Sequence, residues 1–241
     1  METIVLKNNE EIGDAVSNQI KDLLINKPNA LLCLCGGHSP LPIFAKLVTD
    51  AGEGLYPSDS FKFVSLDEWV GLGRDDTGSC FHDIYKHFLA PLNVPNGDRV
   101  FFFDALSDNL LDECTGADEF INSNGGIDLM LLGIGVNGHI GFNEPGTSVT
   151  DGIRVLELSD KSKEVGQKYF NGAMSPDKGI TLGLSQIMDA KKVIVIAHGA
   201  HKREIVNKTV HDAIGSDCPS TFLRNHTNCQ LFVDTEAGLD L

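Results

Sequence analysis

The chain has 241 residues, with 34 acidic against 19 basic side chains and a formal net charge of −15. A field of that sign repels polyanions, which excludes nucleic acid and anionic membrane as natural partners, whereas a small phosphorylated molecule held by local amides and a lysine remains compatible. The length suits one domain over residues 1–241, with one sizeable core.

No apolar run approaches the length of a membrane span, and the Met1-Glu2-Thr3 start leads into mixed polar sequence rather than a secretion signal, so a cytoplasmic protein is expected. Cys33, Cys35, Cys80, Cys114, Cys218 and Cys229 show neither zinc nor Cys-x-x-Cys spacing and read as reduced thiols in or near the core.

In chain order, a β-like start at 3–6 precedes Asn8 and Asn9, which can cap a helix carrying Ile12, Val16, Ile20 and Leu23 at helical spacing. Pro28 ends it. Residues 30–35 are continuously apolar and read as a buried strand, after which Gly36-Gly37-His38-Ser39-Pro40 turns the chain into a helix over 41–48. Unpaired amides at such a helix start favour an anion, although a glycine pair equally marks an ordinary tight turn. The loop lacks Gly-x-Gly-x-x-Gly and Gly-Lys-Ser/Thr, so it suits a single phosphate rather than a dinucleotide or nucleoside triphosphate.

Residues 61–66 form the next predicted strand, which delivers Asp67, Glu68 and Trp69 to the same sheet edge; the acid pair reads either as a cap or as catalytic carboxylates. A glycine-rich stretch over 71–78 leads to predicted helices over 81–90 and 110–122, with a short strand over 99–103 between them. Beyond the central motif described next, 153–158 alternates as a strand and 161–174 reads as a polar helix, part of a lid around 159–178. Residues 179–188 read as a turn with semi-buried backbone, 192–197 as an apolar strand, 200–213 as a helix opening with His201 and Lys202, and 229–233 as a last strand. Lys202 suits an anion, or is a solvated surface lysine.

Residues 127–132 are a buried strand that breaks into Gly133-Ile134-Gly135-Val136-Asn137-Gly138-His139-Ile140-Gly141-Phe142-Asn143-Glu144-Pro145-Gly146, five glycines carrying Asn137, His139 and Glu144. A histidine on such a turn can pass protons either way at neutral pH, and Glu144 can fix its tautomer and stabilise its cation; alternatively the imidazole only ties the turn to a carbonyl. The pair lacks His-Glu-x-x-His spacing, so no metal is expected. His38, inside the glycine loop, reads either as part of an anion site or as a structural residue, and the other histidines read as structural or solvent-facing.

Leu66-Asp67-Glu68-Trp69-Val70, the motif from Gly133 to Gly146 and Gly179-Ile180-Thr181-Leu182-Gly183-Leu184 together resemble the glucosamine-6-phosphate deaminase/isomerase family, which includes galactosamine-6-phosphate deaminases. The resemblance spans nearly the whole chain and is weakest at His38, where the family more usually has a small residue. It implies an α/β, Rossmann-like fold with a mostly parallel sheet and helices on both faces, and an enzyme that needs no cofactor. It further implies that His139, supported by Glu144, opens the sugar ring, that Asp67 moves the C2 proton to C1, and that Gly36, Gly37, His38, Ser39, Gly138, Lys168 and Lys202 bind the substrate.

Asn137 departs from well-known relatives, which carry an aspartate hydrogen-bonded to the histidine; asparagine can orient an imidazole but brings no charge, so the relay rests more on Glu144. Trp69 and Thr77-Gly78-Ser79-Cys80 lean toward the galactosamine branch, because glucosamine relatives usually have tyrosine after the acid pair. Two rivals share the fold: a 6-phosphogluconolactonase, which needs no C2 base, and a non-catalytic sugar-phosphate-binding module. The expected partner is a small sugar phosphate, with a homo-oligomer also compatible.

Overall fold

Apolar spacing and capping residues set the element boundaries. The computed structural model describes residues 1–95, 97–167, 170 and 176–241. Strand β1 (Glu2–Leu6) leads to α1 (Asn9–Asn26), where Asn8 caps the first turn by accepting from the Glu11 N–H at 2.9 Å and Ile12, Val16 and Ile20 are fully buried. There follow β2 (Leu31–Leu34), α2 (Leu41–Gly52), β3 (Lys62–Val64), β4 (Asp67–Trp69), α3 (Cys80–Ile84) running into a π-helical turn (Tyr85–Leu89), β5 (Val100–Phe101) and α4 (Leu110–Ser123). The second half contains β6 (Leu129–Gly133), β7 (Arg154–Glu157), α5 (Asp160–Gly166), β8 (Lys178–Thr181), α6 (Leu184–Asp189) and β9 (Val193–Ala197). A 3-10 turn (Ala200–Lys202) opens α7 (Arg203–His211), and β10 (Cys229–Asp234) is the last strand.

Seven strands form one parallel sheet in the order β1-β10-β9-β6-β2-β3-β5, flanked by helices. The continuous apolar runs of β2, β6 and β9 lie in its centre, buried on both faces, as a parallel sheet covered by helices requires. Chain order runs outward in one direction from β2 through β3 to β5 and in the other from β6 through β9 to β10. The two directions separate between β2 and β6, which makes the crevice beyond their carboxyl ends the topological switch point.

A second, three-stranded antiparallel sheet, β4-β8-β7, pairs Asp67 with Thr181 and Trp69 with Gly179. It covers a small apolar cluster in which Trp69 stacks edge-on against Phe142 and Phe170, at 4.6 and 5.2 Å between ring centroids. The predicted strand over 61–66 is therefore shorter than expected. It leaves the parallel sheet after Val64, and the chain joins the small sheet at Asp67, with the Ser65 hydroxyl donating to the Asp67 carbonyl at 3.0 Å across the bend. Residues 178–181, expected as turn and semi-buried backbone, form β8, because β4 and β7 supply hydrogen-bond partners from distant sequence. The predicted helix over 161–174 corresponds to α5 as far as Gly166, and most of its remainder lies outside the described residues.

All six cysteines are free thiols; Cys33, Cys35, Cys114 and Cys229 are buried, and Cys80 and Cys218 partly so. Among the described residues, no helix is long and apolar enough to cross a membrane.

Candidate active site

The crevice at the switch point is lined by the loops after β2 and β6, by Asp67 from β4, Cys80 from α3, Ser162 from α5 and Lys202 from the turn before α7. On the β2 side, Gly37 takes a φ of +84°, open to glycine without strain, and carries the chain into α2, whose first turn has no side-chain cap. Gly36, Gly37, His38 and Ser39 all line the crevice. Lys202 reaches it from the far side of β6 and donates to the Ile134 carbonyl at 2.5 Å. The glycine loop at a helix start and a lysine thus line one space, a combination suited to an anion despite the net charge of the chain.

The loop after β6 turns tightly: the Gly138 N–H donates to the Gly135 carbonyl and the Gly135 N–H to the His139 carbonyl, both at 2.9 Å. The imidazole of His139 lies directly over Gly135, in space that any Cβ at 135 would occupy. Its Nδ1 faces Glu144 Oε2 at 3.5 Å and the Ser162 hydroxyl at 3.3 Å. Glu144 is held at both oxygens: Oε2 accepts from the Asn137 amide at 2.8 Å, and Oε1 accepts from the Ser162 hydroxyl and, at 3.4 Å, from the Ser159 N–H. Burial raises this carboxyl, but hydrogen bonding and charge from His139, then Ser162 and Asn137, outweigh it and hold Glu144 at about 2. Asn137 does not orient the ring directly. Its amide N–H goes to Glu144 and its carbonyl oxygen accepts from the His139 backbone N–H at 3.2 Å. An aspartate at 137 would lack the amide hydrogen that binds Glu144.

Asp67 and Glu68, adjacent on β4, point to opposite faces. Glu68 is buried and accepts from the backbone N–H groups of Trp69, Cys80 and Phe81 at 2.9, 2.9 and 2.8 Å, anchoring the start of α3. Asp67 lines the crevice, accepts from the Cys80 thiol at 3.4 Å, and lies close to Gly141, whose φ of +58° brings the motif against it. Enclosure by protein raises Asp67 to about 6, with Cys80 and His139 acting in the opposite direction. A carboxylate near 6 opposite an imidazole is equipped to take up and return protons near neutrality.

The structure thus lines one crevice with Asp67, His139, residues 36–39 and Lys202, while Glu144 and Asn137 stand behind His139 rather than in the lining. Gly138 supports it from behind: at φ +86° its backbone passes Cys218 so closely that a Cβ would meet the sulfur at 2.6 Å. Lys168 lies outside the described residues. Sequence reasoning singled out Cys80 only within Thr77-Gly78-Ser79-Cys80, without its contact to Asp67, and missed Ser162. For Ser162 the available signal was a helix start, Ser159-x-x-Ser162, in which Ser159 accepts from the Ser162 N–H at 3.1 Å; nothing in the sequence ties it to Glu144.

Fold and site together define an α/β protein with titratable groups gathered in a crevice at a sheet switch point. The model of the family of glucosamine-6-phosphate isomerases and 6-phosphogluconolactonases matches residues 8–232, and the chain belongs to that family. It is 33% identical over 239 residues to a glucosamine-6-phosphate deaminase of Thermoanaerobacter pseudethanolicus, covering 99% of this chain and 94% of the relative. With a glucosamine-6-phosphate deaminase of Clostridium perfringens the identity is 34%, over 99% and 98% of the two chains. A solved structure of a monomeric glucosamine-6-phosphate deaminase superposes with a TM-score of 0.95 at 30% identity, over 99% of both chains. The 6-phosphogluconolactonase of Trypanosoma brucei, at 22% identity, shares the fold with a TM-score of 0.80 over 100% and 98% of the two chains.

Proposed function

We propose that the chain converts an amino-sugar 6-phosphate to the ketose 6-phosphate and ammonia. The observation that carries this reading is the placement of Asp67 opposite the His139–Glu144 pair in one crevice with the amides of residues 36–39 and Lys202. The 6-phosphate binds to that loop and to Lys202, with Lys168 as a further cation from the lid around 159–178. His139 moves a proton between the anomeric hydroxyl and the ring oxygen, with Glu144 stabilising its cation. Asp67 then takes the C2 proton and returns it to C1, and water hydrolyses the resulting ketose imine. The route draws no step from a metal or organic cofactor. Lactone hydrolysis would leave Asp67 without a task.

Between epimers, the relatives support glucosamine 6-phosphate, since those at 33 and 34% identity, covered to 94% and 98% of their length, are named glucosamine-6-phosphate deaminases. Trp69 and Cys80, which carry the lean toward galactosamine 6-phosphate, both line the crevice. Ammonia release from each of the two sugars, with 6-phosphogluconolactone as a control, tests both levels. Ammonia from either sugar supports the deaminase reading and the ratio of kcat/KM values assigns the epimer; lactone hydrolysis without ammonia overturns it.

A further inference from the structure

The Ser162 side chain is buried, and every hydrogen-bonding position of its hydroxyl has a neighbour. A serine hydroxyl has one hydrogen and two lone pairs. The hydrogen goes to Glu144 Oε1, and the Ser159 hydroxyl donates to one lone pair at 3.2 Å. The remaining lone pair faces His139 Nδ1 at 3.3 Å. With its hydrogen committed to the carboxylate, Ser162 can only accept from the imidazole. Glu144, as a carboxylate, can also only accept. Both partners therefore require the hydrogen on Nδ1, leaving Nε2 as the nitrogen that takes up a proton.

We infer that Ser162 is a positioning residue for the His139–Glu144 pair, clamping the carboxylate and selecting the imidazole tautomer from the first turn of α5. Ser162 carries no proton to substrate; it acts through Glu144 and His139. Because Ser162 lies in α5 and Ser159 immediately precedes it, and both bind the same carboxylate oxygen, the acid–base pair is fully assembled only when the start of α5 is seated against it. Asn137 holds the other oxygen, so Glu144 is clamped between the β6 loop and α5.

The role in turnover rests on the deaminase reading, and the test separates the two. Ser162→Ala is expected to lower kcat for ammonia release about tenfold with KM within about twofold, because the hydroxyl faces the catalytic pair rather than the phosphate loop. In a Glu144→Gln background the same substitution should cost less than about twofold, since the carboxylate through which it acts is gone. Losses that multiply instead, or a wild-type kcat in Ser162→Ala, overturn the inference. Independently of turnover, the ¹⁵N signals of the His139 ring, assigned by their loss in His139→Gln, should show an Nδ1–H tautomer in the free wild-type protein. In Ser162→Ala, where Glu144 loses its clamp at Oε1, the two nitrogen shifts should move toward each other; unchanged shifts would show that Glu144 alone selects the tautomer and would overturn the role given to Ser162. Absence of ammonia from wild-type protein would defeat the deaminase reading and leave the ring-nitrogen measurement to judge Ser162.

Discussion

Among the described residues, the side chains of His139, Asn137 and Ser162 contact Glu144, and of these three only His139 can carry charge. Glu144→Gln removes the anion that stabilises an imidazolium and is expected to slow ammonia release at least about tenfold; an unchanged rate would remove that role. On the proposed route Asp67 sets the acid limb. It must be ionised to accept the C2 proton, and its carboxyl is raised to about 6, so kcat/KM should fall as pH drops through that value. Cys80 donates to the ionised form, so Cys80→Ala should move the acid limb to higher pH; a limb that stays in place or moves down would show that the thiol does not stabilise the carboxylate. The sequence could place an acid pair at a strand end but could not divide its roles. That division comes from the pleat of β4, which turns Asp67 to the crevice and Glu68 to the amides of α3.

Legibility at the level of elements followed burial. Strands β2, β6 and β9 read directly as apolar runs because the parallel sheet buries both their faces. Strands β4 and β8 have three and four residues, and their pairing partners come from distant parts of the chain; Thr181 Oγ1 reaches the Leu66 carbonyl across 115 positions. No local pattern encodes that pairing. The same limit hid Ser162, a helix-start serine by sequence that meets Glu144 only because α5 packs on the β6 loop. The glycines of that loop were legible as a turn, but the need for Gly135 in particular comes from the ring lying over it. Gly135→Ala should displace His139 and lower turnover by at least about a hundredfold, with the folded state retained in circular dichroism; near-normal turnover would show that the imidazole does not work from this position.

Across the whole molecule, acidic excess and local cation chemistry coexist: the chain carries −15, yet one crevice gathers a lysine and a helix-start loop. The thiols give a simple check on how the core is closed. With four of six buried, native protein should titrate at most two thiols with an aromatic disulfide reagent, against six in denaturant, and a sugar phosphate filling the crevice should protect Cys80; four or more fast thiols would contradict the packing. The likeness to known deaminases covers 99% of the chain, so the central claim concerns chemistry rather than fold. Its most direct test is ammonia release from glucosamine and galactosamine 6-phosphate by wild-type protein and Asp67→Asn in parallel. The account predicts ammonia and ketose 6-phosphate from wild type, and a loss of at least about a thousandfold in Asp67→Asn with substrate binding retained. No ammonia from either sugar, or an Asp67→Asn rate equal to wild type, would contradict it.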